Sequence, residues 1–443
     1  MKINLLYQSW IDNKPWPNCI PYWKRNKEHF NNWGNVKYEY LEEILEYSEI
    51  EYTRNTLDDI TTSNETFWFH IQPEWIDLSF FYENVFHYID EDVLNQIRCN
   101  DQIKILIWFP TEGFNLDMPK FMENILWTIG DKGIPDDKVY LVFGDLRIEE
   151  NFKTYLKKHK LESAIKTFGL NIFELNYRLE TDRMYFSRNR MKEIKVADEL
   201  VHPDLVDDNI IRSKKYVCRN ANPRRHRIWI MSQLYKMNYL RYGYTSFLNR
   251  YFTPDVQSVG LHDARSFTKI KDPKDALEDM QKFIAESTPL VLDNTANDIG
   301  EQLNQRRMNV EHYSNSYFSI INETVCESSP GDPLFITEKV YQPMLQLHPF
   351  IVIGSRGTLS YLQDCGYKTF EPMFENKYDY INNAAERIDS AWTQINLMCG
   401  IDFDNLHHCY FEIYDKLLYN RERFLNFNRK EYLEKFTKWL TQN

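Results

Sequence analysis

Short apolar runs alternate with amphipathic stretches along most of this chain, and that alternation predicts its architecture. Thr66-Phe67-Trp68-Phe69-His70, Ile103–Phe109 and Val139–Phe143 are nearly continuous apolar runs rich in aromatic and β-branched residues. The last two are closed by Pro110 and Gly144, the signature of buried strands. Apolar positions at helical spacing fill 118–131 and 149–159, and Leu170-Asn171-Ile172-Phe173 predicts the strand that completes a βαβαβ series. A second series starts with a strand at Lys214–Cys218. It passes into a helix with Asn222 as N-cap and Pro223 as first helical residue. A strand at Leu240–Tyr244, a helix near 273–286 and an apolar run at Pro289–Asp293 follow.

The densest pattern lies in 316–370. A strand over Tyr317–Ile321 ends in Asn322-Glu323, a Ser-Ser-Pro-Gly-Asp-Pro loop follows, and Thr337-Glu338-Lys339 opens a helix that contains Pro343. Pro349–Ile353 is a second strand, stopped by Gly354, and Arg356-Gly357 opens another helix. Parallel sheets bind ligands beyond the carboxyl ends of their strands. Glu323, Glu338, Lys339, Gly354 and Arg356 all fall there.

These elements predict an α/β protein with two Rossmann-like domains. The expected division is an irregular lead-in over 1–60, an N-terminal domain over 61–200, a C-terminal domain over 201–400, and packing helices over 401–443. The charged stretch 176–212 is the expected connection.

Composition changes this picture little. At 443 residues, with 43% hydrophobic and 27% charged residues, the chain suits two globular domains. A net charge of −12 argues against broad binding to a nucleic acid backbone. The seven cysteines are scattered and form no CxxC pair, which favours a reducing, cytoplasmic setting over a disulfide framework or a zinc ribbon. The apolar stretch at Met1–Gln8 is too short for a signal peptide, and no run of 18 apolar residues predicts a spanning helix. No GxGxxG follows a first strand, which argues against a nicotinamide dehydrogenase.

Two helix starts carry the candidate chemistry. Asn222-Pro223-Arg224-Arg225-His226-Arg227 gathers arginines where free backbone amides already favour anions. Lys339 beside the short first turn at Thr337 suits a diphosphate, with Glu338 placed to take sugar hydroxyls. In the first half, Glu112 follows the strongest strand, beside Gly113, and is the leading candidate for a general base; Asp145 is the second.

Tyr317–Glu323, Phe335-Ile336-Thr337-Glu338-Lys339 and Pro349–Gly354 together resemble the donor-site signature of α1,3-fucosyltransferases. A closer resemblance is to glycosyltransferase-like proteins of large phages and aquatic viruses, which share the pattern from 335 to 362. Two departures stand out: Asn322-Glu323 reverses the Glu-Asn order of the fucosyltransferases, and the loop to Thr-Glu-Lys is longer. The resemblance covers about residues 214–370 and implies a GT-B fold with the donor in the C-terminal domain.

It also implies an inverting, metal-independent transfer of a sugar, fucose in the fucosyltransferases themselves, from a nucleotide-diphosphate sugar to a hydroxyl of a glycan acceptor. No further cofactor is implied. Carried onto this chain, Arg227 and Lys339 neutralise the diphosphate and Glu112 deprotonates the acceptor. Asn222, Arg224, Glu323, Thr337, Glu338, Tyr341, Gly354 and Arg356 complete the expected site. A transferase acting on modified DNA bases and a non-catalytic nucleotide- or glycan-binding protein of the same fold are the alternatives left open.

Overall fold

The computed structural model describes residues 2–7, 10–11, 14–15, 41–60, 65–71, 86, 89–110, 118–182, 184–187, 192–195, 200–247, 272–292, 309–326, 333–426 and 428–442. The chain forms two compact units. One comprises Met1–Asn176, Pro330–Phe335 and Asn428–Asn443, the other Tyr177–Ser329 and Ile336–Phe427. The boundary therefore falls at 176/177 rather than near 200, and the C-terminal residues return to the first unit.

Unit 1 contains β1 (Lys2–Leu6), α1 (Leu41–Tyr47), β2 (Glu51–Asn55), β3 (Phe67–Ile71), α2 (Glu91–Cys99) and β4 (Ile103–Phe109). It continues with α3 (Met118–Asp131), β5 (Val139–Phe143), α4 (Ile148–His159) and β6 (Lys166–Gly169); α5 (Ile172–Asp182) runs into unit 2. The six strands form one sheet in the order β2-β1-β3-β4-β5-β6, all parallel.

Two expectations are corrected here. Residues 2–6 and 51–55 are not an irregular lead-in but strands, because Ile3, Leu5 and Leu6 bury their side chains in the sheet. The strand expected at 170–173 lies earlier, at Lys166–Gly169, and Ile172 already begins α5. Asn171 explains the shift: its Oδ1 accepts from Glu174 N at 3.2 Å, the geometry of a helix start.

Around its parallel sheet, unit 2 has β7 (Tyr216–Asn220), α6 (Arg225–Lys236), β8 (Gly243–Phe247), α7 (Pro273–Ser287), β9 (Phe318–Asn322) and α8 (Glu338–Leu345), among other elements. After them come β10 (Phe350–Ile353), α9 (Thr358–Asp364), α10 (Ala384–Gly400), α11 (Phe403–Glu412) and α12 (Tyr414–Leu425). The four strands are parallel, in the order β8-β7-β9-β10. The expected strand at Leu240–Tyr244 begins instead at Gly243, after a single tight turn. Gly243 is required there, since a Cβ would lie 2.3 Å from the Tyr216 ring. The run at Pro289–Asp293 contributes one bridge, Leu290 to Phe247, among its described residues.

The apolar runs are continuous because the unit 1 sheet is buried on both faces. Phe69, Ile105, Ile107, Leu141 and Phe143 belong to a core with Phe121, Met122 and Ile125 of α3 and Phe152 of α4. On the opposite face the last helix, α13 (Arg429–Gln442), packs Phe436 against Trp108 and Phe168, and Trp439 against Tyr140. No described helix is long and apolar enough to cross a membrane. Phe436 is fully buried. Phe436→Ala is expected to destabilise unit 1 by about 3–5 kcal/mol in urea unfolding; a change below about 1 kcal/mol would mean α13 is not part of this core.

Candidate functional site

In both sheets the strand order reverses beside the first strand. Such a reversal sends the flanking connections to opposite sides and leaves a crevice at the carboxyl ends. In unit 2 the reversal lies between β7 and β9, and the pairing loosens there. β7 pairs with β8 over five residues, but with β9 only at Tyr216–Phe318 and Val217–Ser319. The last residues of the two strands, Asn220 and Asn322, are thus free of the ladder that joins the strands at their other ends.

Both asparagines are buried, 2% and 1% exposed, and their Nδ2 groups lie 3.4 and 3.5 Å from the same Cys218 Sγ. Among the described residues, the Oδ1 atoms of both, with Nε of Arg227, are buried without a hydrogen-bond partner. Interiors seldom leave such atoms unsatisfied, and they mark this end of the sheet as built for polar company. Sequence reading missed Asn220 and Asn322 as site residues; the signal was an amide ending each of two apolar strands.

The rim comes from the two helix starts. Arg224, not Asn222, is the N-cap of α6: its own backbone is extended, at φ −120° and ψ 152°, and the helix begins at Arg225. Pro223 accordingly lies outside the helix. Arg224 Nη1 donates to Thr324 O at 2.7 Å, and His226 Nε2 lies 2.9 Å from Glu323 O. Only a carbonyl accepts there, so Nε2 carries the proton. Arg227 is 4% exposed and donates to the carbonyls of Asn222, Asn322 and Glu323 at 3.1–3.2 Å. Burial, then the neighbouring Arg224, pushes its pKa down to about 10, so it is still a cation at neutral pH. Arg227 therefore braces the turn after β9 and contributes a fixed positive charge behind it.

Glu323 joins the parts. Its carboxylate is fully buried, accepting from Thr337 Oγ1 at 2.7 Å, Thr337 N at 3.0 Å and Thr324 N at 3.1 Å. Gly354 at the end of β10 keeps this approach open, because a Cβ would come within 3.2 Å of Glu323 Cβ and would require the glutamate to shift by a few tenths of an ångström. Thr337 caps α8, and Lys339 Nζ lies 3.0 Å from Thr337 Oγ1 and 3.5 Å from Glu338 Oε1. Lys339 and Glu338 stay partly exposed, at 29% and 17% of their side chains.

The structure thus gathers Arg224, Arg227, Glu323, Thr337, Glu338, Lys339 and Gly354. Tyr341 is placed elsewhere: its ring is fully buried against Tyr367 and Phe424 and builds the core face of α8. Arg356 is exposed beyond β10. Glu112 lies outside the described residues. Asp145 is buried in unit 1, where it accepts from Arg147 N, Asn151 Nδ2 and Leu334 N at 2.7–2.9 Å. Burial pushes its carboxyl up to about 6.

A cavity of ≈ 40 Å³ lies between the sheet and α8, lined by Val217, Ser319, Ile321, Lys339, Gln342 and Pro343. It holds roughly two or three waters, so a larger ligand belongs beyond the strand ends and not in this cavity. Comparison with protein-family models, with curated proteins and with solved structures finds no match.

Two outcomes are expected. In Glu323→Gln an amide N–H must face one of the three donors, costing about 1–3 kcal/mol in urea unfolding; an unchanged midpoint would remove Glu323 from this role. Burial pushes His70 down to about 4 and His226 and His348 to about 3. Each binds its proton more readily when unfolded, so this stability is present above about pH 6.5 and lost as the pH falls toward 4. Asp145 and Asp389, whose carboxyls burial pushes up, oppose the trend as two groups against the three histidines. Unfolding free energies at pH 7.5, 6.5 and 5 check the sign.

Proposed function

We propose that the protein is a glycosyltransferase of the GT-B type, which moves a sugar from a nucleotide-diphosphate donor to a hydroxyl of a glycan acceptor with inversion. The observation that carries this reading is the convergence, at one strand-order reversal, of buried unsatisfied amides with cations from two helix starts. Asn220 and Asn322 offer acceptors to a ligand with N–H or O–H groups. Arg224 and Lys339 stand beside the first turns of α6 and α8, where an anion is favoured.

The chemical roles follow from charge. As the sugar leaves, negative charge grows on the diphosphate, and fixed cations stabilise it most when nothing must reorganise. Arg227 meets that condition because three carbonyls hold it. Lys339 is the mobile partner able to follow the leaving oxygen, and Glu338 is placed to accept from a sugar or ribose hydroxyl. Glu323 acts indirectly, fixing Thr337 and so the first turn of α8. The acceptor's proton goes to a carboxylate of the N-terminal half, Glu112 in this reading.

The test is a thermal-shift screen of UDP, GDP and ADP sugars in the presence of EDTA. At least one is expected to raise the melting temperature, and Arg224→Ala or Lys339→Ala to weaken its binding about 10- to 100-fold, the worth of a charge-assisted hydrogen bond. No shift with any nucleotide sugar would overturn the reading.

A further inference from the structure

Cys218 lies two residues before Asn220 on β7, so the two side chains share a face of the sheet, and the Asn322 side chain meets that face from β9. α6 covers it with Arg227 and Met231, one helical turn apart. Cys218 and Met231 are fully buried. Three contacts converge on the one thiol sulfur: Asn220 Nδ2 at 3.4 Å, Asn322 Nδ2 at 3.5 Å and Met231 Sδ at 3.8 Å.

Proton counting gives each contact its direction. A thiol has one proton and a thioether none, so the Cys218 S–H donates to Met231 Sδ. The sulfur lone pairs then accept from both Nδ2 groups. With the amides turned round, two carbonyl oxygens would face a single thiol proton, and at least one would lie against a sulfur lone pair. Burial pushes the thiol up to about 12, so it keeps its proton at neutral pH and the count holds. Both Nδ2 groups therefore face the sulfur and both Oδ1 atoms face away from it. Among the described residues neither oxygen has a partner. Buried oxygens left in that state weaken the fold, and a ligand that satisfies them must bring O–H or N–H groups.

We infer that Cys218 is a positioning residue of this site: its sulfur holds Asn220 and Asn322 so that their oxygens form a pair of acceptors, and these select a nucleoside by its O–H or N–H donors. The choice of a nucleoside rests on the function proposed above; the orientation of the amides does not. Cys218 acts through the asparagines and not on the ligand. Arg224 and Lys339, which serve the diphosphate, are anchored elsewhere, on Thr324 O and Thr337 Oγ1. Nucleoside selection and diphosphate affinity are therefore separable.

Calorimetric titration of the full-length protein in EDTA reads the two apart. The probes are UDP, GDP and ADP and, for whichever binds tightest, two analogues: one methylated at its base N–H groups, the other built on dideoxyribose. The native protein is expected to bind one analogue about fivefold more weakly than the parent, and the affected analogue tells base from ribose. Cys218→Val fills the space but offers the amides no acceptor. It is expected to bring that discrimination below about twofold and to keep the gain from monophosphate to diphosphate. Undiminished discrimination in Cys218→Val, or equal native affinity for the parent and both analogues, would overturn the selection. A ligand-free readout on the native protein tests the orientation alone. With isotope-labelled asparagine, the Nδ2 protons of Asn220 and Asn322 are expected to show NOEs to the Cys218 β protons. Their absence would overturn the positioning role whether or not a nucleotide binds. Intact NOEs without binding of any nucleotide would count against the proposed function, and with it the selection, while the orientation stands.

Discussion

The candidate site depends on burying one carboxylate. Glu323 has no exposure at all, and a charge so placed is tolerable only when both oxygens are hydrogen-bonded and an opposite charge lies near. Thr324 N, Thr337 N and Thr337 Oγ1 occupy the oxygens, and Arg227 is the buried countercharge. Several local choices follow from this burial. Residue 354 carries no side chain against it, Thr337 presents both its amide and its hydroxyl, and Arg227 turns inward onto the carbonyls of Asn322 and Glu323. Arg387 completes the frame from α10 by donating to Gly354 O and Cys326 O.

Around this fixed point the sheet supplies the opening. β7 and β9 hydrogen-bond at one end and part at the other, leaving Asn220 and Asn322 at the reversal of strand order. Amides at those positions are a poor choice for a packed core. They are a good choice where a ligand supplies the missing donors. Arg224 and Lys339 then stand at the rim and Arg227 behind it, a graded arrangement in which the deepest cation is the most rigid.

Much of the fold was legible because β4, β5 and β9 are buried on both faces and read as nearly continuous apolar runs. β1 was not legible: Lys2–Leu6 is short and abuts a polar, Trp-rich stretch, and its burial comes from pairing with β2 and β3. The return of α13 to unit 1 was equally hidden, since Phe436 and Trp439 look like any amphipathic stripe until their partners Trp108 and Tyr140 are known. In the site, Thr337, Lys339 and Gly354 were readable as cap, cation and turn. Arg227 was readable as a cation, but not as one turned inward, because that orientation is set by carbonyls 95 residues away in sequence. Asn220 carries no motif, and Asn322 stands in the signature turn without a role of its own; the reversal of strand order gives both their meaning.

The central claim, that the reversal in unit 2 holds a nucleoside diphosphate, is tested most directly by calorimetric titration in EDTA of a nucleoside, its monophosphate and its diphosphate. The account predicts affinity rising along that series, with the diphosphate gain lost in the Arg224→Ala, Lys339→Ala double variant and the nucleoside term lost in Asn220→Ala. Equal affinity for nucleoside and diphosphate, or a diphosphate gain that survives the double variant, would contradict it.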